Sequence, residues 1–275
     1  MKFKEVVEGI KKIHIQGASA IAKQGIMAFA KHVENGKDYK KDVEFAKSEL
    51  FNARPTEPML INGINYIIRN AKKKEDFVKL ANKLIKEKED SEKIISDLGA
   101  NLIKEGMNIF THCHSSSVIR ILKKAKEQGK NFNVVCFEAR PLFQGRVTAK
   151  DLTELGIRTT LTIDSGMTEA FEIFPPSIVF VGCDALTKNY FVNKIGTDTL
   201  ANIAKKHKVP FYVCTETFKF TDNLRIEYRD PSEIWENPPK GLNIWNPAFD
   251  TTSNELVQGF ITEKGIKKEI TCSSW

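Results

Sequence analysis

Nowhere in the 275 residues is there an apolar run approaching the ~18 residues that a membrane-spanning helix needs. The opening MKFKEVVEGIKKIHI interleaves Lys and Glu with apolar residues, where a secretory signal would be continuously apolar. No membrane association is expected, and the cytoplasm is the expected compartment. Cysteine is scarce: Cys113, Cys136, Cys183, Cys214 and Cys272 are odd in number, form no CxxC pair, and four of them stand in or beside apolar strand-like runs. A disulfide framework is therefore not expected and the thiols should be reduced. With 16 Gly and 10 Pro, and neither a repeat nor a low-complexity tract, collagen-like and disordered chains do not fit. GxxxxGK[ST] is missing too, so nucleoside-triphosphate chemistry is not indicated.

What is present is a chain able to bury a full core, 41% hydrophobic and 28% charged. Its formal net charge of +7 suits an anionic partner, but the excess is mostly Lys spread along helix-like segments and reads as a solvated surface. Nucleic acid is not expected as a partner. Up to about residue 104 the apolar residues recur at three- and four-residue spacing, as in Phe77, Leu80, Ala81, Leu84 and Ile85, which predicts helices. Beyond Gly106 come short β-branched and aromatic runs, each followed by a helical stretch: 108–112, 133–137, 159–163, 177–181 and 211–214. That alternation predicts an α/β chain with a helical N-terminal domain over 1–105 and a Rossmann-like parallel-sheet domain over 106–275. No Pro/Gly linker separates the two, so they should pack together.

Parallel sheets bind ligands at the carboxyl ends of their strands, so the chemistry belongs just after each run. After the first run come Cys113, His114 and three serines opening a helix. A serine there can cap the helix, and its amides attract anions and depress a nearby thiol's pKa. A small core cysteine and an ordinary cap are the competing roles. His112, Cys113 and His114 stand together, but adjacent strand residues point to opposite faces and no second ligand pair follows, so no metal site is expected. After the second run Glu138, Arg140, Gln144 and Arg146 crowd a Pro/Gly loop, either as a binding loop or as an Arg–Glu brace. After the fourth comes Asp184, a carboxylate at the end of an apolar strand, which needs a partner or a task; it is the leading acid/base candidate, with capping of the next turn as the alternative. Asn193, Lys194, Gly196 and Thr197 form a loop into a helix that suits a phosphate. TETFKF offers Lys219, RPTEP offers Arg54, and HIQGASAIAK places Gly17, Ala18 and Ser19 at a helix start.

Taken in order, IQGAS, ARPT, THCHSS, EARPLFQGRVTAKDL, VGCDAL, VNKIGT, ETFKF, EYRDPSEIW and NIWNPAFDTTSNELVQGFITEKGI span nearly the whole chain. They resemble the family that unites the regulatory subunits of translation initiation factor 2B with methylthioribose-1-phosphate isomerase and archaeal ribose-1,5-bisphosphate isomerase, and the last of these most closely. The resemblance implies an aldose–ketose isomerase of archaeal nucleoside and AMP degradation that converts ribose 1,5-bisphosphate to ribulose 1,5-bisphosphate. Its catalytic pair would be Cys113 and Asp184. It implies sugar-phosphate contacts from Gln16, Gly17, Ala18 and Ser19, from Arg54, from Asn193 with Lys194, and from Lys219, with Gln144 matching a residue used by the methylthioribose enzyme. No cofactor or metal is implied, and the expected assembly is a homodimer through the C-terminal domain or a homohexamer. Gln16 stands where the isomerases usually carry Arg, and DSGMTEAF lacks their Arg–His pair. These departures keep a second reading open, a non-catalytic factor-2B-like regulatory subunit that binds sugar phosphate or nucleotide and a translation factor.

Overall fold

The computed structural model describes residues 2–12, 14–15, 17–224 and 228–270. Gln16 and Cys272 lie outside the described residues, as does the start of EYRDPSEIW. Five helices come first: α1 (Phe3–Lys11), α2 (Ala18–Asn35), α3 (Tyr39–Ala53), α4 (Pro58–Asn70) and α5 (Asp76–Leu102). The three- and four-residue apolar spacing read from the sequence turns Phe29, Leu50, Leu60, Ile64, Ile67 and Phe77 into one fully buried cluster. Each such side chain stabilises the fold by roughly 1.5–3 kcal/mol on leaving water. Asp38 caps α3 by accepting from Lys41 N at 3.3 Å, and Pro58 opens α4 at a position where a missing N–H costs nothing.

The α/β half alternates β1 (Asn108–His112), α6 (Ser116–Glu127), β2 (Asn133–Phe137), α7 (Gln144–Glu154), β3 (Arg158–Thr162), α8 (Met167–Ile173) and β4 (Ile178–Val181). It continues through β5 (Ala185–Leu186), β6 (Tyr190–Lys194), α9 (Thr197–Lys206), β7 (Phe211–Cys214), β8 (Phe249–Ser253), β9 (Gly259–Thr262) and β10 (Gly265–Lys267). The main sheet runs β10-β9-β7-β4-β1-β2-β3, parallel except for the β10–β9 hairpin. Alternate side chains of its strands enter two cores: Phe110, Val135, Val179 and Phe211 pack under α8 and α9, while Ile109, Val134, Ile178 and Phe180 pack under α6 and α7.

The five strand runs read from the sequence are strands, with the third shifted by one residue and the fourth starting one residue later. A second, antiparallel sheet, β5-β6-β8, was not legible. It takes Asn193 and Lys194 out of the expected loop and puts them on β6, paired with Asp250 and Phe249. The reason is long-range pairing: β8 joins β6 only after more than fifty intervening residues. The two halves are also less separate than the change of periodicity implied. The first half of α5 belongs to the helical core, whereas Ile95, Ala100 and Ile103 pack with α6 against the sheet. The Asn62 side-chain amide, on α4, donates to the carbonyls of Phe218 and Phe220 at 2.8 and 3.0 Å, fastening the helical layer to the carboxyl side of the sheet.

Candidate active site

Strand order reverses between β1 and β4, which are neighbours, paired Ile109 to Ile178. In an open parallel sheet the crevice at such a reversal is where ligands bind. Cys113 leaves β1 there and Asp184 follows β4, on strands ~4.8 Å apart. Cys113 takes a left-handed φ of 66°, which turns the chain sharply into α6, and Ser115 caps that helix by accepting from Val118 N at 3.5 Å. The turn is held from α7: Thr148 Oγ1 donates to the Cys113 carbonyl at 2.8 Å and lies 3.1 Å from His114 Nδ1. His112 is held from the other side, its Nε2–H donating to Ile195 O at 2.8 Å, and burial keeps its ring neutral. Gly182 is required by close approach, since a Cβ there would stand 2.6 Å from Ser115 Oγ. The Asp184 N–H donates to Val192 O at 2.8 Å, which fixes its backbone to β6.

A cavity of about 520 Å³ opens over these strand ends, between the helical layer and the sheet. Cys113, Asp184, Gly17, Ala18, Ser19, Arg54, Gln144, Asn193, Lys194 and Lys219 all line it, so the expected site residues within the described chain converge on one space. Their states differ from simple expectation in three ways. Burial pushes the Cys113 thiol up to about 12; the His114 amide and Lys194 pull it down, but not enough, so the depression expected from a helix N-terminus does not occur. Lys219 is buried, donates to Cys183 O at 2.7 Å and lies 3.3 Å from Glu216. Burial alone would lower its pKa, yet Glu216 and its other acidic neighbours outweigh that and hold it charged. Its ammonium therefore braces the strand end beside Asp184, where a free phosphate clamp was expected. Ser19 likewise spends its hydroxyl on Glu92, at 2.9 Å.

The remaining expected residues are held in different ways. Lys194 is buried and its ammonium meets no hydrogen-bond or ion-pair partner among the described residues; burial lowers its pKa, opposed by Cys113. Asn193 donates to Thr197 Oγ1 at 2.9 Å, which in turn donates to Lys194 O at 2.6 Å, so the pair is set firmly against the start of α9. Gln144 Oε1 is buried without a partner among the described residues, and Arg54 lies with its guanidinium over Phe249. Gly145 beside it admits no side chain, since a Cβ would meet Phe137 O at 1.7 Å. Of the crowded loop's other members, Arg146 braces Glu138 at 3.0 Å, the structural alternative read from the sequence.

Sequence reasoning missed several wall residues. Arg229 and Glu233, an ion pair with Nε–Oε1 3.1 Å, line the cavity from the C-terminal segment, and Asn246 donates to Glu233 at 3.3 Å. The i,i+4 Arg–Glu spacing in EYRDPSEIW was the available signal. Arg120 lines it from α6. Glu57, within RPTEP, is buried behind the wall; burial, reinforced by Asp184, raises its carboxyl to about 8. Among the side chains lining the cavity, the basic Lys23, Arg54, Arg120, Lys194, Lys219 and Arg229 outnumber the acidic Asp184 and Glu233, although Lys23, Arg120 and Lys219 also pair with Glu89, Glu92 and Glu216. Such a space suits a polyanion. Among the described residues no group of His, Cys, Asp and Glu is placed to hold a metal ion, and no helix is long and apolar enough to cross a membrane.

A model of the initiation factor 2 subunit family matches residues 7–269. The chain is 37% identical to a ribose 1,5-bisphosphate isomerase of Archaeoglobus fulgidus, over 95% of its own length and 88% of that protein. It is 33% identical to a methylthioribose-1-phosphate isomerase of Pelotomaculum thermopropionicum, over 97% of its length and 83% of that protein. Among solved structures, the Pyrococcus horikoshii translation initiation factor eIF-2B superposes with a TM-score of 0.87 at 31% identity, covering 96% of each chain. With the motifs in order along the chain and the fold shared throughout, this protein belongs to the initiation factor 2 subunit family.

Proposed function

We propose that this chain is a sugar-phosphate isomerase that converts ribose 1,5-bisphosphate to ribulose 1,5-bisphosphate. The observation that carries the reading is the pairing of Cys113 and Asp184 across the strand-order reversal, inside one cavity whose ionisable lining is mostly cationic. A dianionic group at each end of the substrate matches that lining, and the relatives named as ribose 1,5-bisphosphate isomerases support the choice of sugar.

An aldose whose C1 oxygen carries phosphate cannot open its ring freely. Cys113, as thiolate, takes the C2 proton while Asp184 in its acid form protonates the ring oxygen; the C1–O4 bond breaks and a C1=C2 enol phosphate forms. Asp184 then takes the C2 hydroxyl proton as the C2 carbonyl forms, and the Cys113 thiol returns its proton to C1. Both groups end as they began, and nothing is oxidised or reduced overall. Lys194 holds a phosphate, and Lys219 keeps the Asp184 strand end in place.

The test is turnover of ribose 1,5-bisphosphate followed by 31P and 13C NMR. Cys113→Ser and Asp184→Asn should each cut kcat by roughly 10²- to 10⁴-fold with ligand affinity largely kept, the range for lost general acid/base catalysis. The likeness to a protein titled translation initiation factor eIF-2B favours a second reading, a binding subunit without chemistry. Wild-type protein that binds the sugar but never turns it over between pH 6 and 9 would establish that reading instead.

A further inference from the structure

Buried on α5, Glu92 gathers three donors: Ser19 Oγ at 2.9 Å, the Lys88 ammonium, and Arg120 Nη2 at 3.1 Å. The carboxylate thereby fixes one arm of the Arg120 guanidinium. The other arm is different. Nη1 is buried, has no hydrogen-bond partner among the described residues, and belongs to a side chain on the cavity wall. A guanidinium is planar and stays charged at every working pH, so holding one nitrogen aims the other. An unmet buried donor is costly unless a ligand meets it.

The neighbours indicate the ligand's chemistry. Other cations on the wall are already engaged: Lys23 with Glu89 at 2.8 Å, Lys219 with Glu216, and Arg229 with Glu233. Ser116, one helical turn before Arg120 and on the same side of α6, also lines the cavity. An anion with several acceptor oxygens suits an arginine on this wall whose Nη1 has no hydrogen-bond partner among the described residues.

We propose that Arg120 is a substrate-binding residue that takes one phosphate of the sugar bisphosphate, the other being held at Lys194, so that it selects bisphosphates over monophosphates. This rests on reading the cavity as a sugar-phosphate site. The fixed Nη2 contact with Glu92 preorganises the donor, which makes the phosphate contact geometric as well as electrostatic.

Arg120→Met and Arg120→Lys are compared with wild type by calorimetric titration of ribose 1,5-bisphosphate and ribose 5-phosphate, alongside steady-state kinetics and thermal melts. The expected result for Arg120→Met is a roughly 10- to 100-fold loss of bisphosphate affinity and a matching rise in KM. The monophosphate should be affected much less, and kcat should fall far less than KM rises. Arg120→Lys should recover part of the affinity, since it keeps the charge but loses the fork. Lower melting temperature with unchanged affinity and KM in both variants would reduce Arg120 to a brace for Glu92 and overturn the proposal. Wild type that binds the bisphosphate without isomerising it would overturn the proposed reaction alone, because the affinity comparison still reads Arg120. Wild type that binds no ribose phosphate at all would overturn both.

Discussion

Cys113 shows two opposed effects on one atom. The amides at a helix N-terminus stabilise an anion by about 0.3–1 kcal/mol, up to ~2 kcal/mol when partly buried, which is at most ~1.5 pKa units. Burial can move a group by ~3–5 units the other way. Burial wins, and the thiol is pushed up to about 12. If the thiolate is the base, its fraction grows tenfold per pH unit throughout the range below that value. The logarithm of kcat/KM should therefore climb from pH 6 to 9 without levelling. Burial also lowers the pKa of Lys194, so any loss of phosphate affinity with rising pH should set in earlier than an exposed lysine would give. A plateau of kcat/KM near neutrality in a stopped-assay pH series would remove Cys113 as the base.

The elements matter through where they end. β1 and β4 are ordinary buried strands, and the sequence marked both, but their adjacency at the reversal of strand order is what sets Cys113 beside Asp184. Gly182 lets β4 finish against the Ser115 cap of α6, where any side chain would collide. Gly182→Ala should therefore cost about 1–3 kcal/mol as an overpacked site, visible as a lower Tm. It should lower turnover as well, because the displaced cap carries the Cys113 turn. A Gly182→Ala protein with wild-type Tm and wild-type kcat would show that the two strand ends are not coupled. The small β5-β6-β8 sheet plays the same role for Asn193 and Lys194, holding them by pairing to β8 where a loop would have left them free.

At the scale of the molecule, the cavity exists because two layers meet. The helical layer brings Gly17 to Ser19 and Arg54, the sheet brings Cys113, Asp184 and Lys194, and α5 runs through both cores to lock them together. The segment carrying Arg229 and Glu233 also leaves Trp235 and Trp245 50% and 69% exposed, next to further apolar surface at Ile234 and Leu242. Trp245 lies beside exposed Tyr228, with ring centroids 6.4 Å apart, and exposed aromatic surface of this kind marks association surfaces. The chain is therefore expected to self-associate, and multi-angle light scattering should return at least twice the 31.1 kDa chain mass. Trp245→Glu should shift that mass toward the monomer. A wild-type mass of a single chain at micromolar concentration would refute the expectation.

Local pattern settled much of this in advance. Apolar spacing distinguished the helical half from the α/β half, since a 3.6-residue and a two-residue period cannot be satisfied by the same backbone. Strand ends then pointed to Cys113 and Asp184 before any coordinates, because a ligand can only approach a parallel sheet where its connections part. The charge states were beyond the sequence. Whether a thiol is depressed by helix amides or raised by burial, and whether Lys219 faces a ligand or is spent on Glu216 and the Cys183 carbonyl, depends on groups distant along the chain. Arg120 reads in sequence as one more basic residue on an amphipathic helix. Only packing against Glu92, 28 residues earlier on α5, fixes one of its nitrogens and leaves the other without a hydrogen-bond partner among the described residues. Periodicity and residue type set which chemistry was on offer; packing set which groups were free to perform it, because desolvation and pairing depend on neighbours in space.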